Sequence, residues 1–212
     1  MTVKTRFLVL GATAKTGRRV AEQLQNLGHS VRAVSRSTTP SFDWTKPDTW
    51  DDVLRDIDAV YVTFQPDLAV PGSDQIIADF AARALRHGAK RLVMLSGRGE
   101  DAARDAERTL RNSGADWTVL RANWFFQNFS EDLFLPYLQN GVLALPAGDI
   151  PEPFVDADDI AECAVTAILD PAHIGKTYEL SGPDALTFEE ATAIIASSAN
   201  RDIAFVPITL DQ

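Results

Sequence analysis

Short apolar runs alternate with amphipathic stretches along the whole chain. The first run, Phe7–Leu10, ends at Gly11, and Val20, Leu24 and Leu27 then recur at helical spacing. Apolar runs without polar alternation are typical of buried parallel strands, and the helices between such strands cover both faces of the sheet. The pattern therefore predicts a doubly wound α/β fold, the Rossmann type, which binds ligands at the carboxyl ends of its strands.

The same reading divides the chain into elements. Predicted strands are 7–10, 31–34, 42–44, 59–64, 91–95, 117–120, 177–180 and 204–206. Predicted helices are 15–28, the stretch around 76–85, 100–111, 156–168 and one that starts at the capping box Thr187-Phe188-Glu189-Glu190. The charge run 100–111 is typical of a solvated surface helix. We expect one domain over 1–212, with 125–212 as a smaller appended part.

Composition narrows the classes of function. The formal net charge of −10 disfavours binding to nucleic acid or to an anionic membrane surface. No apolar run approaches the ~20 residues that cross a bilayer, and the N-terminus lacks a signal-peptide pattern. The single cysteine, Cys163, fits a reducing compartment. We therefore expect a cytoplasmic protein that acts on a small molecule.

The strongest local signal is the segment Gly11-Ala12-Thr13-Ala14-Lys15-Thr16-Gly17, which lies between a predicted strand and a predicted helix. Gly11 would permit a tight exit from the strand, and Gly17 would let the helix pack closely on the sheet. The N–H groups at the helix start would then hold a pyrophosphate. An ordinary turn with two glycines is the alternative. A P-loop is excluded because no Gly-Lys-Ser/Thr follows.

The end of the second strand indicates which nucleotide binds. NAD-specific folds place a carboxylate on the ribose about 20 residues after the first glycine. Here the corresponding residues are Ser35, Arg36 and Ser37. A guanidinium flanked by hydroxyls suits a 2′-phosphate, although a solvated surface arginine remains the alternative. The sequence therefore favours NADP(H) as the cofactor.

Further segments resemble one family in their order along the chain. They are Phe42-Asp43-Trp44-Thr45, the run from Val119 to Phe129, Ala147-Gly148-Asp149 with Pro153-Phe154-Val155, and Tyr178 to Pro183. With the glycine loop and Ser35-Arg36, they resemble the NmrA-like branch of the atypical short-chain dehydrogenases. The nearest subgroups are the ergot-alkaloid reductase-like proteins and the bacterial NAD(P)H:quinone reductases. The resemblance covers essentially the whole chain.

The resemblance also implies roles for residues. The loop would hold the diphosphate and Arg36 the 2′-phosphate, and Asp43 would lie near the adenine with Trp44 beside it. The remaining implied contacts are Thr63, Phe64 and Ser96 on the ribose and nicotinamide side, Ala122 and Asn123 at the nicotinamide, and Trp124 and Phe125 at the substrate. The chain departs from the family in having Ala14 as the middle loop residue. Relatives usually continue beyond Gln212, so a reduced lid, a lid from a partner and a fragment all stay open.

The chemistry of standard short-chain dehydrogenases is absent from the sequence. They use a tyrosine with a lysine four residues on, but Tyr61, Tyr137 and Tyr178 are followed at that spacing by Gln65, Gly141 and Gly182. His29, His87 and His173 have no mutual ligand spacing, so we predict no metal site. No catalytic residue is identified.

These observations favour an NADPH-dependent oxidoreductase that transfers hydride to a small flat electrophile: a quinone, an activated alkene or an imine. Such a transfer needs an oriented acceptor in an apolar pocket more than a dedicated acid. The aromatic cluster of Trp124, Phe125, Phe126 and Phe129 is either one wall of that pocket or core packing. A non-catalytic NADP(H) sensor of the NmrA type is the alternative function, and a nucleotide-sugar epimerase is disfavoured. A homodimer stays open.

Overall fold

The computed structural model describes residues 5–209. The strands are β1 (Arg6–Leu10), β2 (Ser30–Val34), β3 (Ala59–Val62), β4 (Arg91–Gly97), β5 (Asp116–Ala122), β6 (Val142–Leu145), β7 (Lys176–Leu180) and β8 (Ala204–Pro207). The helices are α1 (Lys15–Asn26), α2 (Trp50–Leu54), α3 (Ser73–Arg86), α4 (Ala103–Arg111), α5 (Gln127–Ser130), α6 (Leu135–Gln139), α7 (Ala157–Leu169) and α8 (Phe188–Ala199).

Six of the strands form one parallel sheet in the order β2-β1-β3-β4-β5-β7. From β1 the chain runs outward to β2 and then returns to β3 on the other side of β1. Leu8 of β1 accordingly lies between Arg32 and Val60 in the register of the sheet. Ligands of such folds bind where the strand order reverses, at the carboxyl ends of the strands. The predicted doubly wound fold is confirmed.

The described chain separates into two compact units. The first contains the chain up to Ala122 together with Asp158–Leu180, and it includes the whole parallel sheet. One face of that sheet is buried with α3, α4 and the aromatic residues around Trp50, and the other is buried with α1 and α7. The prediction of a single domain is untested and stays a prediction.

The second unit contains Asn123–Ala157 and the chain from Ser181 onward. In it, β6 and β8 pair in parallel as a separate two-stranded sheet. Its core is aromatic, and the Phe154 ring lies 5.3 Å from that of Phe129 and 5.2 Å from that of Phe188. The capping box is confirmed, since the Thr187 and Glu190 side chains each bond to the other's backbone N–H.

The predicted strand 42–44 is wrong, because the segment is a buried loop with its own hydrogen bonds. The Phe42 N–H donates to the Ser35 carbonyl at 2.9 Å, and the Asp43 N–H donates to Thr49 Oγ1 at 3.2 Å. Phe42 and Trp44 are buried in the core with Trp50. Buried aromatic residues are typical of strands, but these residues are buried in the core without pairing with a neighbouring strand.

The predicted strand 204–206 is confirmed as β8. Two smaller expectations change. Leu27 does not continue the buried stripe of α1, since it is 60% exposed and follows the end of the helix. The charge run 100–111 is not wholly solvated, because Glu107 in α4 is fully buried. Among the helices that residues 5–209 form, none combines the length and the apolar character that a bilayer crossing requires.

Candidate functional site

The turn between β1 and α1 brings the helix directly against the strand. Gly11 has φ +70°, which favours glycine, and a Cβ there would lie 2.7 Å from Thr63 Cγ2. A Cβ on Gly17 would overlap the Gly11 carbonyl and lie 2.8 Å from the Leu10 oxygen. Both glycines therefore have the structural roles that the sequence predicts.

The first turn of α1 carries backbone N–H donors that have no side-chain cap within residues 5–209. Ala14 is the N-cap residue, with φ −83° and ψ 163°, and no side chain of the described chain caps the helix there. The first N–H groups of a helix have no acceptor within the helix, and the helix dipole adds positive potential. The loop is held in place because Ala12 N donates to the Val34 carbonyl and Ala14 N to the Gly11 carbonyl. This geometry suits a phosphate group.

Arg36 follows β2 and is exposed. The hydroxyl groups of the flanking residues are hydrogen-bonded within this turn: Ser35 Oγ lies 3.1 Å from Ser37 Oγ, and the Ser35 N–H donates to Thr38 Oγ1 at 2.8 Å. Within residues 5–209, no hydrogen bond or ion pair engages the Arg36 guanidinium. The structure therefore leaves this cation available at the strand end.

Asp43 is held as an oriented carboxylate close to Arg36. Its Oδ1 accepts hydrogen bonds from the Thr45 N–H at 2.9 Å and from Thr45 Oγ1 at 2.8 Å. These bonds lower the pKa of Asp43, and the charges of Lys46 and Arg36 contribute to the shift. Lys46 Nζ lies 4.0 Å from Oδ2. Asp43 is thus a fixed acceptor near the end of β2, as an adenine amino group would require.

Trp44 is buried, and its indole N–H donates to the Thr63 carbonyl at 3.1 Å. Its ring lies 4.9 Å from the half-buried Phe64 ring. Trp44 therefore supports the carboxyl end of β3, where Thr63 in turn touches the position of Gly11. Of the predicted contacts in this part of the chain, Trp44 is the one whose side chain is mostly committed to the core.

Ser96 is buried near the end of β4, and its hydroxyl donates to Glu107 Oε1 at 2.8 Å. Glu107 also accepts from Arg121, with Nε at 2.9 Å from Oε1 and Nη2 at 2.7 Å from Oε2, and from Arg111 at 2.8 Å. Glu179 extends this set, because it binds Arg121 through Oε1 and Arg98 through Oε2, each at 2.9 Å. The Ser96 proton is thus committed to a carboxylate.

This group of side chains, which we call the Glu107 network, joins α4 to β4, β5 and β7. Burial acts to raise the pKa of Glu107, but the hydrogen bonds from Arg121 and Ser96 outweigh it, and the pKa lies below its ordinary value. Glu107 also raises the pKa of Arg121. The sequence held one signal for this residue, since Glu107 falls at helical spacing on the buried stripe of Ala103, Ala106 and Leu110.

The predicted nicotinamide-side residues end β5 and begin the second unit. Ala122 is the last residue of β5 and is buried. Asn123 is buried too, and its Nδ2 donates to Glu152 Oε2 at 2.8 Å. Within the second unit, Trp124 is 43% exposed, and its ring lies 5.8 Å from that of Phe134 and 5.7 Å from that of Phe188.

The aromatic cluster divides by burial. Phe129 belongs to the core of the second unit, whereas Trp124 and Phe126 are exposed and Phe125 is half-buried. Phe125 bridges to Val155 in the backbone. Core packing therefore accounts for Phe129, and the exposed face of Trp124 stays free for another role.

The three tyrosines differ in burial and in partners. Tyr61 is fully buried in β3, and burial raises the pKa of its hydroxyl. Tyr178 contacts His173 Nδ1 at 2.7 Å, and Tyr137 is exposed. Among residues 5–209, the histidine, cysteine and acidic side chains form no group of three that could hold a metal.

Comparison with known proteins adds to this picture. Residues 11–171 match the model of the NAD(P)H-binding family. An NAD(P)H azoreductase of Xenophilus azovorans is 30% identical over 97% of this chain and 78% of its own length. Agroclavine dehydrogenase of Claviceps fusiformis is 28% identical over 96% of this chain and 76% of its own.

Among solved structures, an NADPH-dependent quinone oxidoreductase of Escherichia coli complexed with NADPH is similar in fold. It has a TM-score of 0.78 and 21% identity, and the match covers 96% of this chain and 78% of the other. These matches agree with the resemblance drawn from the motifs, which includes ergot-alkaloid and quinone reductases.

Proposed function

The chain belongs to the NAD(P)H-binding family, in its NmrA-like branch of reductases, and on this premise we propose that it is an NADPH-dependent reductase of a small flat electrophile. A quinone, an activated alkene or an imine is the class of acceptor. Two features carry the proposal. Within the described residues, the start of α1 has no side-chain cap and packs on β1 through Gly11 and Gly17, and the available cation of Arg36 lies at the end of the neighbouring strand β2.

The preference for NADPH follows from charge. A carboxylate reading the ribose diol would repel a 2′-phosphate, whereas Arg36 with the hydroxyls of Ser35 and Ser37 can bind it by charge-assisted hydrogen bonds. Because no hydrogen bond or ion pair engages the Arg36 guanidinium within residues 5–209, it can bind the 2′-phosphate without first giving up an internal partner. Asp43 then provides an acceptor for the adenine, fixed in direction by Thr45.

Bound NADPH supplies the hydride, so the chain has to bind, orient and keep water away from the reacting atoms. Trp124 and Phe125 are the proposed walls for the flat acceptor, because the Trp124 ring is 43% exposed and is held by the neighbouring rings of Phe134 and Phe188. A flat ring beside a flat acceptor favours a fixed orientation. No tyrosine of the sequence is followed by a lysine four residues on, which argues against alcohol–ketone chemistry and favours these acceptors as the class.

A steady-state assay tests the proposal. Loss of NADPH absorbance is followed with 1,4-benzoquinone, 2-cyclohexenone and a cyclic imine, each against a reaction without acceptor. The reductase predicts acceptor-dependent oxidation that saturates with at least one of them. NADPH binding by calorimetry, without oxidation by any acceptor class, would instead support the sensor.

A further inference from the structure

Glu100 lies against the carboxyl end of β4. A Cβ added to Gly97 would overlap the Glu100 carboxyl group, with Oε1 at 2.6 Å. The φ of Gly97 is not in the left-handed region, so the backbone does not require glycine there. The missing side chain instead makes room for the Glu100 carboxyl group. This places a carboxyl group at the strand ends where folds of this type bind their ligands.

Glu100 differs from the neighbouring carboxylates in its partners. Glu107 and Glu179 are bonded to arginines, and Asp101 pairs with Arg104 at 3.2 Å. Within residues 5–209, no cation forms an ion pair with Glu100.

The charged group that acts on Glu100 is Asp67, in the segment after β3. Arg98, on the same segment as Glu100, is bonded to Glu179. Burial of the carboxyl group and then the Asp67 charge raise the pKa of Glu100. Glu100 as a whole residue is exposed, so its proton can exchange with water.

We propose that Glu100 donates the proton that completes the reduction. The inference rests on the proposed function. With NADPH bound, its C4 would supply a hydride, with its electron pair, and a new bond to hydrogen would form at the electrophilic atom of the acceptor. The O–H bond of Glu100 breaks, its proton moves to the acceptor atom on which negative charge develops, and water reprotonates the carboxylate. NADP⁺ and the reduced acceptor are the products.

Other groups near the strand ends are less able to give a proton. Ser96 already donates to Glu107, and Tyr61 is enclosed within the sheet. Arg121 is bonded to two carboxylates. Glu100 thus combines a position at the end of β4, a raised pKa and a route to solvent. A positioned acid of this kind contributes about 10²–10⁴-fold to a rate.

Three variants test the role with NADPH and the acceptor that the protein reduces fastest. Glu100→Gln keeps the shape and removes the acidic proton, so kcat should fall at least tenfold while the Kd for NADPH stays within twofold. Gly97→Ala keeps the Glu100 carboxyl group but displaces it, so this variant should also lower kcat. Asp101→Asn removes an adjacent, exposed carboxylate and should leave kcat within twofold.

The pH profile gives the second readout. A proton donor must be protonated, so kcat of the unmodified protein should fall as pH rises through the pKa of Glu100. Asp67→Asn removes the like charge, lowers that pKa and should move the fall to lower pH. The fall should be absent in Glu100→Gln.

The outcomes separate this inference from the proposed function. A Glu100→Gln protein with unchanged kcat and an unchanged pH profile overturns proton donation and leaves the reductase standing. Loss of NADPH binding in that variant also overturns it, because the role would then be in binding. If the unmodified protein oxidises NADPH with none of the acceptors, the proposed function fails and proton donation fails with it.

Discussion

Replacing Glu107 by glutamine should strongly destabilise the first unit. The substitution keeps the side-chain volume but removes the charge of a fully buried carboxyl group that pairs with Arg121 and Arg111. Removing one partner of a buried ion pair costs about 3–5 kcal/mol. Arg121 retains Glu179 and Arg111 is 33% exposed, so we expect the lower end of that range, about 3 kcal/mol. For a chain of this size, this corresponds to a fall in Tm of roughly 6–12 °C.

Thermal unfolding followed by circular dichroism measures the effect at pH 7. Asp105→Asn is the matched control, because it lies in the same helix and its partner Arg108 is exposed like itself. An exposed pair contributes about 0–1 kcal/mol, so this control should change Tm by no more than a few degrees. Equal Tm values for Glu107→Gln and Asp105→Asn would refute the reasoning that the Glu107 network holds the strand ends together.

The pH dependence has a defined sign. The pKa of Glu107 is lower in the folded chain than in the unfolded one. Its stabilisation is therefore fully present above the unfolded pKa and is lost as pH falls through the folded pKa. The difference in Tm between the unmodified protein and Glu107→Gln should be largest near pH 7. It should shrink in acid, where the protonated carboxyl group of Glu107 resembles glutamine.

Five further substitutions test the site. Ala14→Gly should change the Kd for NADPH less than threefold by calorimetry, because Ala14 has negative φ and no strain to relieve; a tenfold tighter Kd would contradict this. Tyr61→Phe, Tyr137→Phe and Tyr178→Phe should each keep most of kcat, and a variant that folds and binds NADPH without turnover would overturn the mechanism. Trp124→Ala should lower kcat/KM at least tenfold, and single-turnover measurement of hydride transfer checks this effect. The loss in Tm should be modest, since the ring is 43% exposed. A large loss in Tm with unchanged activity per folded molecule would assign Trp124 to packing.

The elements that the sequence predicts well are those with a local signal. The run Phe7–Leu10, the glycines of the following turn and the capping box at Thr187 each carry their own pattern within a few residues, and each is found. The segment 42–44 is apolar and aromatic like a strand, but its backbone finds partners in Ser35 and Thr49, which no local pattern reveals.

The site shows the same division. The loop and Arg36 can be read from spacing along the chain. The Glu107 network depends on which residues meet across β4, β5 and β7, and the segment 100–111 indicates only charge. Glu100 belongs to that same charged run, and the closeness of its carboxyl group to Gly97 depends on the turn after β4, which no local pattern reveals.

The central claim is that Arg36 makes NADPH the reductant, and calorimetry with NADPH and NADH tests it most directly. A charge-assisted hydrogen bond is worth about 1.5–3 kcal/mol, so NADPH should bind at least tenfold more tightly than NADH. Arg36→Ala should remove most of that ratio, while Arg55→Ala, which deletes an exposed arginine paired with Asp52, should keep it. Equal affinities for the two nucleotides in the unmodified protein would contradict the account.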